Sequence, residues 1–423
     1  MKNYSDMAIR YAKDIIEIWK RQQKNWRIIV IRQLFNRFFQ VLTQSYQNIY
    51  ITMLGATPLT LGIVNSFTGI SNTFFSVPLG WLQDRYSLRK LFIMGIGLLT
   101  LVPLIYATAS SWEIIIPAII VGAFAAKEGS CMVICNVSLE NRDRLTAKSI
   151  CEGIGRVPTL LAPLLAALII SNFGGMSVEG IRPLFWIRFV VSVILFFYVA
   201  LQLKEIVRPQ LTMSAKERRI GFFNGFKDLF KQGNMLKRWI IFMAISSFLR
   251  VMVQAFRYPF AYQIKGADQF VIGALTTAAT LLQIILYTPL GKISDKIGRK
   301  KMIFILMPLV WVSNILFVLA PTSELLIFAS FLNGFQAINM VFMNAVSAEL
   351  VPIQFMGRWI GIIGLFVGLI DIPAPIIGGL IWEYIGPSWI FLIPILLDLI
   401  VKIPILISMP ETLKGIHKST LNV

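Results

Sequence analysis

Gln33, Arg37, Gln40, Gln44 and Gln47 stand 4, 3, 4 and 3 residues apart within an otherwise apolar stretch. On a helix they form one polar stripe. A second apolar stretch carries Ser247, Arg250, Gln254 and Arg257 at spacings of 3, 4 and 3. Guanidinium groups make forked hydrogen bonds to carboxylate and phosphate, and desolvated cations without partners favour an anion. Lys127, Glu128, Glu152, Arg156, Asp371, Asp398 and Lys402 also lie in apolar sequence. At the centre of a bilayer such groups cost about 2.5–3.5 kcal/mol or more, so they face a bundle interior or a wet cavity. Glu152–Arg156 and Asp398–Lys402 are four residues apart and read as internal pairs, the second on an outer helix. Lys127 and Glu128 are adjacent and on a helix point about 100° apart, so they cannot simply pair. Arg188 is expected to snorkel from near the outer end of its helix, and Arg32 to lie near an interface. What remains is Arg37, Lys127, Arg250 and Arg257 against Glu128 and Asp371, a net basic set.

Proton coupling would need a carboxylate whose pKa rises on burial. Glu128, Glu152 and Asp371 are the candidates, and Asp371 precedes Ile372-Pro373-Ala374-Pro375, a sequence that can open the backbone and admit water. The sole histidine, His417, lies in the tail, so no histidine relay is expected. Exchange of one anion for another needs no titrating carboxylate. Cys131 and Cys135 are four apart with no histidine nearby and read as small apolar residues. No metal site or cofactor is expected. Neither a phosphate-binding Gly-x-x-x-x-Gly-Lys-Ser/Thr nor His-Glu-x-x-His occurs, which removes the main supports for ATP-driven pumping and zinc proteolysis.

The elements that must position these residues follow from composition. Of 423 residues, 56% are hydrophobic and 14% charged, with a mean hydropathy of +0.71. Ordinary soluble domains carry about 25% charged residues, so a soluble enzyme is not expected. Apolar runs near the roughly 20 residues that span a bilayer recur twelve times: 28–52, 57–79, 91–109, 113–135, 149–171, 184–203, 239–262, 270–291, 302–320, 324–346, 359–381 and 388–409. Each is expected to be helical, because unsatisfied backbone is costly in lipid. With residue 1 in the cytoplasm, thirty of the forty Lys and Arg fall in inside segments and only Arg182 and Lys265 in outside loops. Both termini are therefore expected to be cytoplasmic. The net charge of +19 is read as this bias facing anionic lipid, without nucleic acid. Residues 1–25 are too polar for a cleavable signal peptide; Ile15, Ile16 and Trp19 fit a short helix on the inner membrane face.

A shift of 211 residues brings the two halves into register, setting Gly55 on Gly266, Gly62 on Gly273, Pro78 on Pro289, Gly80 on Gly291, Asp84 on Asp295 and Lys90 on Lys301. The expected organisation is an N-terminal segment (1–27), a six-helix bundle (28–203), a basic cytoplasmic linker (204–238), a second six-helix bundle (239–409) and a tail (410–423). The repeat carries a paired motif: Gly80, Asp84 and Arg85 between spans 2 and 3, and Gly291, Asp295, Gly298 and Arg299 between spans 8 and 9. This resembles the loop signature of the major facilitator superfamily, and span count, repeat and linker extend the resemblance over essentially the whole chain. The first copy departs from the pattern, with Ser87-Leu88 in place of Gly-Arg, and a distorted turn is expected there. The segment 348–358 and Pro375-x-x-Gly378-Gly379 are similar to the family's second half, and Pro410-Glu411-Thr412-Leu413-Lys414-Gly415 to the tail of its sugar porters. The sugar porters' Gln-Gln pair in helix 7 and the drug antiporters' helix-5 pattern are absent.

The resemblance implies an all-α membrane protein of twelve helices in two pseudo-symmetric bundles, working by alternating access. It sets spans 1, 4, 7 and 10 around the central path. Arg37, Gln40, Gln44, Lys127, Arg250, Gln254 and Arg257 are then the expected substrate-binding residues. The paired motif becomes an inner gate, with Asp84 near Gly357–Arg358 and Asp295 near Lys148. The reading is a secondary transporter of a small anionic solute, carboxylate or phosphate in type, expected as a monomer in the plasma membrane, with a proton or counter-anion as coupling partner. Its rivals are a proton-coupled exporter of lipophilic or cationic compounds using Glu128 and Asp371, a porter of sugars or other neutral solutes, and a transporter-like receptor that moves nothing.

Overall fold

In lipid a backbone must satisfy its own hydrogen bonds, and the chain does so with helices. The computed structural model describes residues 23–128, 156–205, 234–351 and 356–411; within these, the side chains of 76–85, 126–128, 156–157 and 357–358 are among those left undescribed. The first half contains α1 (Lys24–Met53), α2 (Pro58–Arg85), α3 (Leu88–Thr108), α4 (Ile115–Glu128), α5 (Arg156–Thr159), α6 (Ala162–Asn172) and α7 (Val178–Gln202). The second contains α8 (Asn234–Gln263), α9 (Gln269–Ile297), α10 (Arg299–Leu319), α11 (Ser323–Glu349), α12 (Met356–Asp371), α13 (Ala374–Tyr384), α14 (Trp389–Leu397), a π-helical turn (Asp398–Lys402) and α15 (Ile403–Ile407).

Helix among the described residues overlaps all twelve expected stretches, but eight segments are long and apolar enough to cross a membrane. Trp112–Ala125 and Ala162–Asn172 are shorter apolar helices, and α1, interrupted by its arginines and glutamines, is not among the eight. Two expected spans are broken at equivalent places. Span 11 breaks after Asp371, where Ile372 and Pro373 form a turn, as the Pro373/Pro375 pair predicted. Span 5 breaks at Leu160 and Leu161, beside Pro158 and Pro163, and Leu160 is 211 residues before Asp371. The repeat also sets the turns that end α1 and α8: Gly55 and Gly266 take φ of +96° and +66°, a region that favours glycine.

The halves meet at the end of the molecule away from the 85–88 and 297–299 turns. There the backbones approach so closely that a Cβ on Gly62 would lie 2.3 Å from the Pro375 carbonyl oxygen. The corresponding distances are 2.6 Å for Gly379 against Pro58 and 2.7 Å for Gly273 against Pro163. Hydrogen bonds cross at the same end. Tyr46 donates to Gln269 O (2.8 Å), Asn48 to Ala255 O (2.8 Å), Thr277 to the Leu160 carbonyl freed by the span-5 break (3.1 Å), and Leu59 N to Glu383 (3.0 Å). A single apolar core here includes Tyr50, Phe185, Phe260 and Phe391 from both halves. A second core, around Trp239, Phe242 and Trp359, belongs to the second half alone.

Gly62→Val places a branched side chain against the Pro375 backbone, and overpacking of this kind costs about 1–3 kcal/mol. The α2–α13 seam should loosen while the helices still fold. In a cysteine-free background, a cysteine at Ile376 should then react faster with a hydrophilic thiol reagent; an unchanged rate would show the seam does not need this close approach.

Candidate solute-binding cavity

A cavity of about 590 Å³ lies below this seam. It runs along α9 from Thr276, near the packed end, to Tyr287, nearer the turn end. Its wall belongs mostly to the second half. Among the described residues the first half supplies only Val41, Gln44, Ser45 and Thr159. Ser45, Thr276 and Tyr258 form a chain of hydroxyls, with Ser45–Thr276 at 2.7 Å and Tyr258–Thr276 at 2.8 Å, which ties α1 to α9 and α8 at the cavity's closed end.

The α8 stripe faces this space: Arg250, Gln254 and Arg257 all line it. Arg250 is committed within the protein, its Nη1 donating to Gln254 Oε1 (3.2 Å) and its Nη2 to Ser247 Oγ (3.0 Å). Ser247 Oγ in turn donates to Asp371 Oδ2 at 2.7 Å. The carboxylate at the broken end of α12 is thus linked to Arg250 through one hydroxyl, and its Oδ1 has no hydrogen-bond partner. Arg257 differs. It is only 7% exposed, lies 4.3 Å over the Phe317 ring, and its Nη1 and Nη2 have no hydrogen-bond partner. A cation–π contact offsets part of the cost of burial but leaves the donors idle.

Several expectations are corrected. Gln44 lines the cavity, whereas Arg37 and Gln40 do not. Four and seven residues from Gln44 along the stripe, Gln40 and Arg37 lie progressively nearer the turn end. Arg188 does not snorkel; it lies mid-way along α7 and its Nη1 donates to buried Thr43 of α1 at 2.8 Å. Arg32 is buried, 5.1 Å over the Phe92 ring near the start of α3. Asp398 and Lys402 pair as expected, at 2.7 Å, but not on an outward face. The π-helical turn widens the helix there and directs both into the cavity wall, where Trp311 Nε1 donates to Asp398 Oδ2 at 2.8 Å. The side chains of Lys127, Glu128 and Arg156, and all of Glu152, lie outside the described residues.

The paired motif sits at the turns between α2 and α3 and between α9 and α10. Gly298 takes φ +108°. Its counterpart Ser87 has φ −58° and instead caps α3, accepting from Lys90 N at 3.4 Å. The departure from the pattern is therefore a different way of starting the same helix. Arg89 and Lys300, 211 residues apart, do the same work: Arg89 donates to Leu203 O (2.7 Å) and Lys300 to Ile407 O (3.3 Å), each closing the carbonyl end of its half's last helix. Glu411 accepts from the Lys300 and Lys301 amides at 3.2 and 3.4 Å, as the free N–H groups of a helix start allow. Arg299 pairs with Glu349 at 2.9 Å and with Asp295 at 3.7 Å. The gate partners Lys148, Asp84, Arg85 and Arg358 fall among the undescribed residues or side chains. Gly80 lies within α2 and Gly291 within α9.

The arginine-centred reading overlooked a polar stripe on α9. Thr276, Thr280, Gln283 and Tyr287 are spaced 4, 3 and 4 and all line the cavity. Periodicity alone could have found it, but hydroxyls and amides in apolar helices more often join helices than face a solute.

Helical halves related by a 211-residue repeat, joined at one end and enclosing a polar cavity, define a membrane-transporter fold. Residues 33–264 and 240–419 match the Major Facilitator Superfamily, and the chain belongs to that family. It is a multi-pass integral membrane protein, and its family is one of transporters rather than enzymes. An uncharacterized MFS-type transporter of Methanocaldococcus jannaschii is 24% identical over 81% of this chain and 84% of its own length. An uncharacterized transporter of Buchnera aphidicola is 23% identical over 40% of this chain, a match that spans only 43% of that relative. Among solved structures, the nucleoside transporter NupG superposes with a TM-score of 0.72 at 16% identity, covering 92% of this chain and 100% of that one. A D-xylose-proton symporter gives 0.67 at 14%, covering 92% and 97%. At these identities the likeness concerns fold alone.

Removing one member of a buried, hydrogen-bonded ion pair costs about 3–5 kcal/mol, whereas replacing both is often close to neutral. Lys402→Met should therefore lower the melting temperature of the purified protein, and Asp398→Leu/Lys402→Met should restore most of it. An unchanged melting temperature in the single variant would show that the pair carries no structural load.

Proposed function

We propose that the chain is a secondary transporter that moves a small anionic solute, of carboxylate or phosphate type, by alternating access between two six-helix bundles. In this reading all twelve stretches span the bilayer, both termini are cytoplasmic, and the protein works as a monomer in the plasma membrane. The observation that carries it is Arg257, a buried guanidinium on the cavity wall whose terminal nitrogens have no hydrogen-bond partner. A buried cation held in this way is costly until an anion completes its hydrogen bonds. Arg250, Gln254 and Gln44 share the wall and orient the bound group, with Lys127 the further candidate on the side of the first bundle. Asp371, one hydroxyl from Arg250, is the coupling carboxylate: protonation there weakens its hold on Ser247 and frees Arg250 to engage solute. Glu128 and Glu152 are the further coupling candidates. The Asp295–Arg299–Glu349 ion pairs and residues 80–85 at the end of α2 form the gate at the cytoplasmic end.

Ligand binding raises the melting temperature in proportion to RT ln(1 + [L]/Kd), which permits a screen of anionic, neutral and cationic solutes. Anions should protect the wild type. A charge-assisted hydrogen bond contributes about 1.5–3 kcal/mol, so Arg257→Gln should weaken that protection roughly ten- to a hundredfold in Kd. Protection by cationic or greasy compounds, equal in both proteins, would refute the anion reading. In proteoliposomes, Asp371→Asn should lose uptake driven by a pH gradient yet retain counterflow exchange; full gradient-driven uptake would remove Asp371 from coupling.

A further inference from the structure

The cavity is several times larger than a bare inorganic anion, and its lining arginines, Arg250 and Arg257, both come from α8. The rest of the wall, from α9, α10 and α11, presents Gln283, Asn314, Asn333 and Gln336. Asn314 is 5% exposed, and its carboxamide oxygen has no hydrogen-bond partner. A buried amide left in this condition forfeits hydrogen bonds it had in water, so its retention on a cavity wall points to a ligand that supplies them. Trp311 stands beside these amides with its Nε1 held by Asp398, which fixes the ring as a wall. Lys402 and Asp398 neutralise each other on this side, so the surface is polar without net charge.

Carboxamides both donate and accept, and they match groups that do the same, such as hydroxyls and amides. We infer that the cavity takes a two-part solute: an anionic group at Arg257 and an uncharged portion bearing several hydroxyl or amide groups, held by Asn314, Gln336 and Gln283 against Trp311. The inference rests on the anion reading for its charged half only. The amide wall is a separate observation and stands or falls separately. A cavity of about 590 Å³ suits such a solute, since small-molecule sites span roughly 300–1,000 Å³.

The test uses the full chain in detergent and two matched pairs of probes: inorganic phosphate with glucose 6-phosphate, and acetate with gluconate, with glucose as the neutral control. Dissociation constants are taken from thermal shifts. Two or three neutral hydrogen bonds together are worth about tenfold or more in affinity, so the hydroxylated member of at least one pair should bind about tenfold more tightly than its bare partner. Asn314→Leu and, separately, Gln336→Leu should bring that ratio towards one, and Arg257→Gln should weaken both members together. The half-buried Gln336 guards against a folding defect at Asn314, and the ligand-free melting temperature of each variant reports on it directly. Equal affinity for bare and hydroxylated anions in the wild type would overturn the two-part solute and leave the anion reading intact. Protection by glucose that persists in Arg257→Gln would overturn the anionic half and keep the amide wall. Protection by none of the five probes at millimolar concentration would overturn both.

Discussion

Backbone, not side chain, sets how near the two halves can come. At the packed end, glycines 62, 273 and 379 each face a proline carbonyl across the seam, at distances that a Cβ would reduce to 2.3–2.7 Å. In lipid, where no hydrophobic effect drives helices together, close approach of small residues supplies the van der Waals contact that does. The prolines serve the same seam from the other side. They break spans 5 and 11, and the carbonyl released at Leu160 accepts from Thr277. Because this end is tight, the space between the helices persists below it, and the cavity's position follows.

What fills that space electrically is governed by desolvation. Three ways of keeping charge inside the fold stand side by side. Asp398 and Lys402 cancel as an ion pair; Arg250 shares its charge through Ser247 with Asp371; Arg257 has only an aromatic face. They form a series of decreasing internal satisfaction, and the capacity to receive a solute rises along it. The asymmetry between the halves has the same origin. Arg188, on the first-half side, is absorbed by Thr43, so the described cationic character of the cavity comes from α8.

The turns at the other end meet one requirement with different chemistry. A helix start needs its free amides covered and its entry angle set. At Gly298 the backbone swings to positive φ, and the carboxylate of Glu411 covers the amides; at Ser87 the side chain caps instead, and Glu205 contacts the serine hydroxyl. The basic residue two positions on, Arg89 or Lys300, then ties each turn to the end of its half's last helix. A motif with a mismatched letter thus preserves its mechanical role.

The family, the repeat, the α8 stripe, the break after Asp371 and the Asp398–Lys402 pairing were all legible in the sequence, because each rests on local spacing: helical period, a 211-residue offset, proline chemistry, an i,i+4 reach. Which stripe faces the cavity was not. Two stripes of equal quality on α1 and α8 have different fates, since facing depends on how helices rotate against one another. Contacts more than a hundred residues apart set that rotation, among them Ser45 with Thr276 and Gly62 with Pro375. The same holds for Arg188, whose partner lies 145 residues away, and for Asp398, which a π-helical turn redirects without any sign in the residue spacing. Periodicity determines which side chains share a face; only packing decides what that face sees.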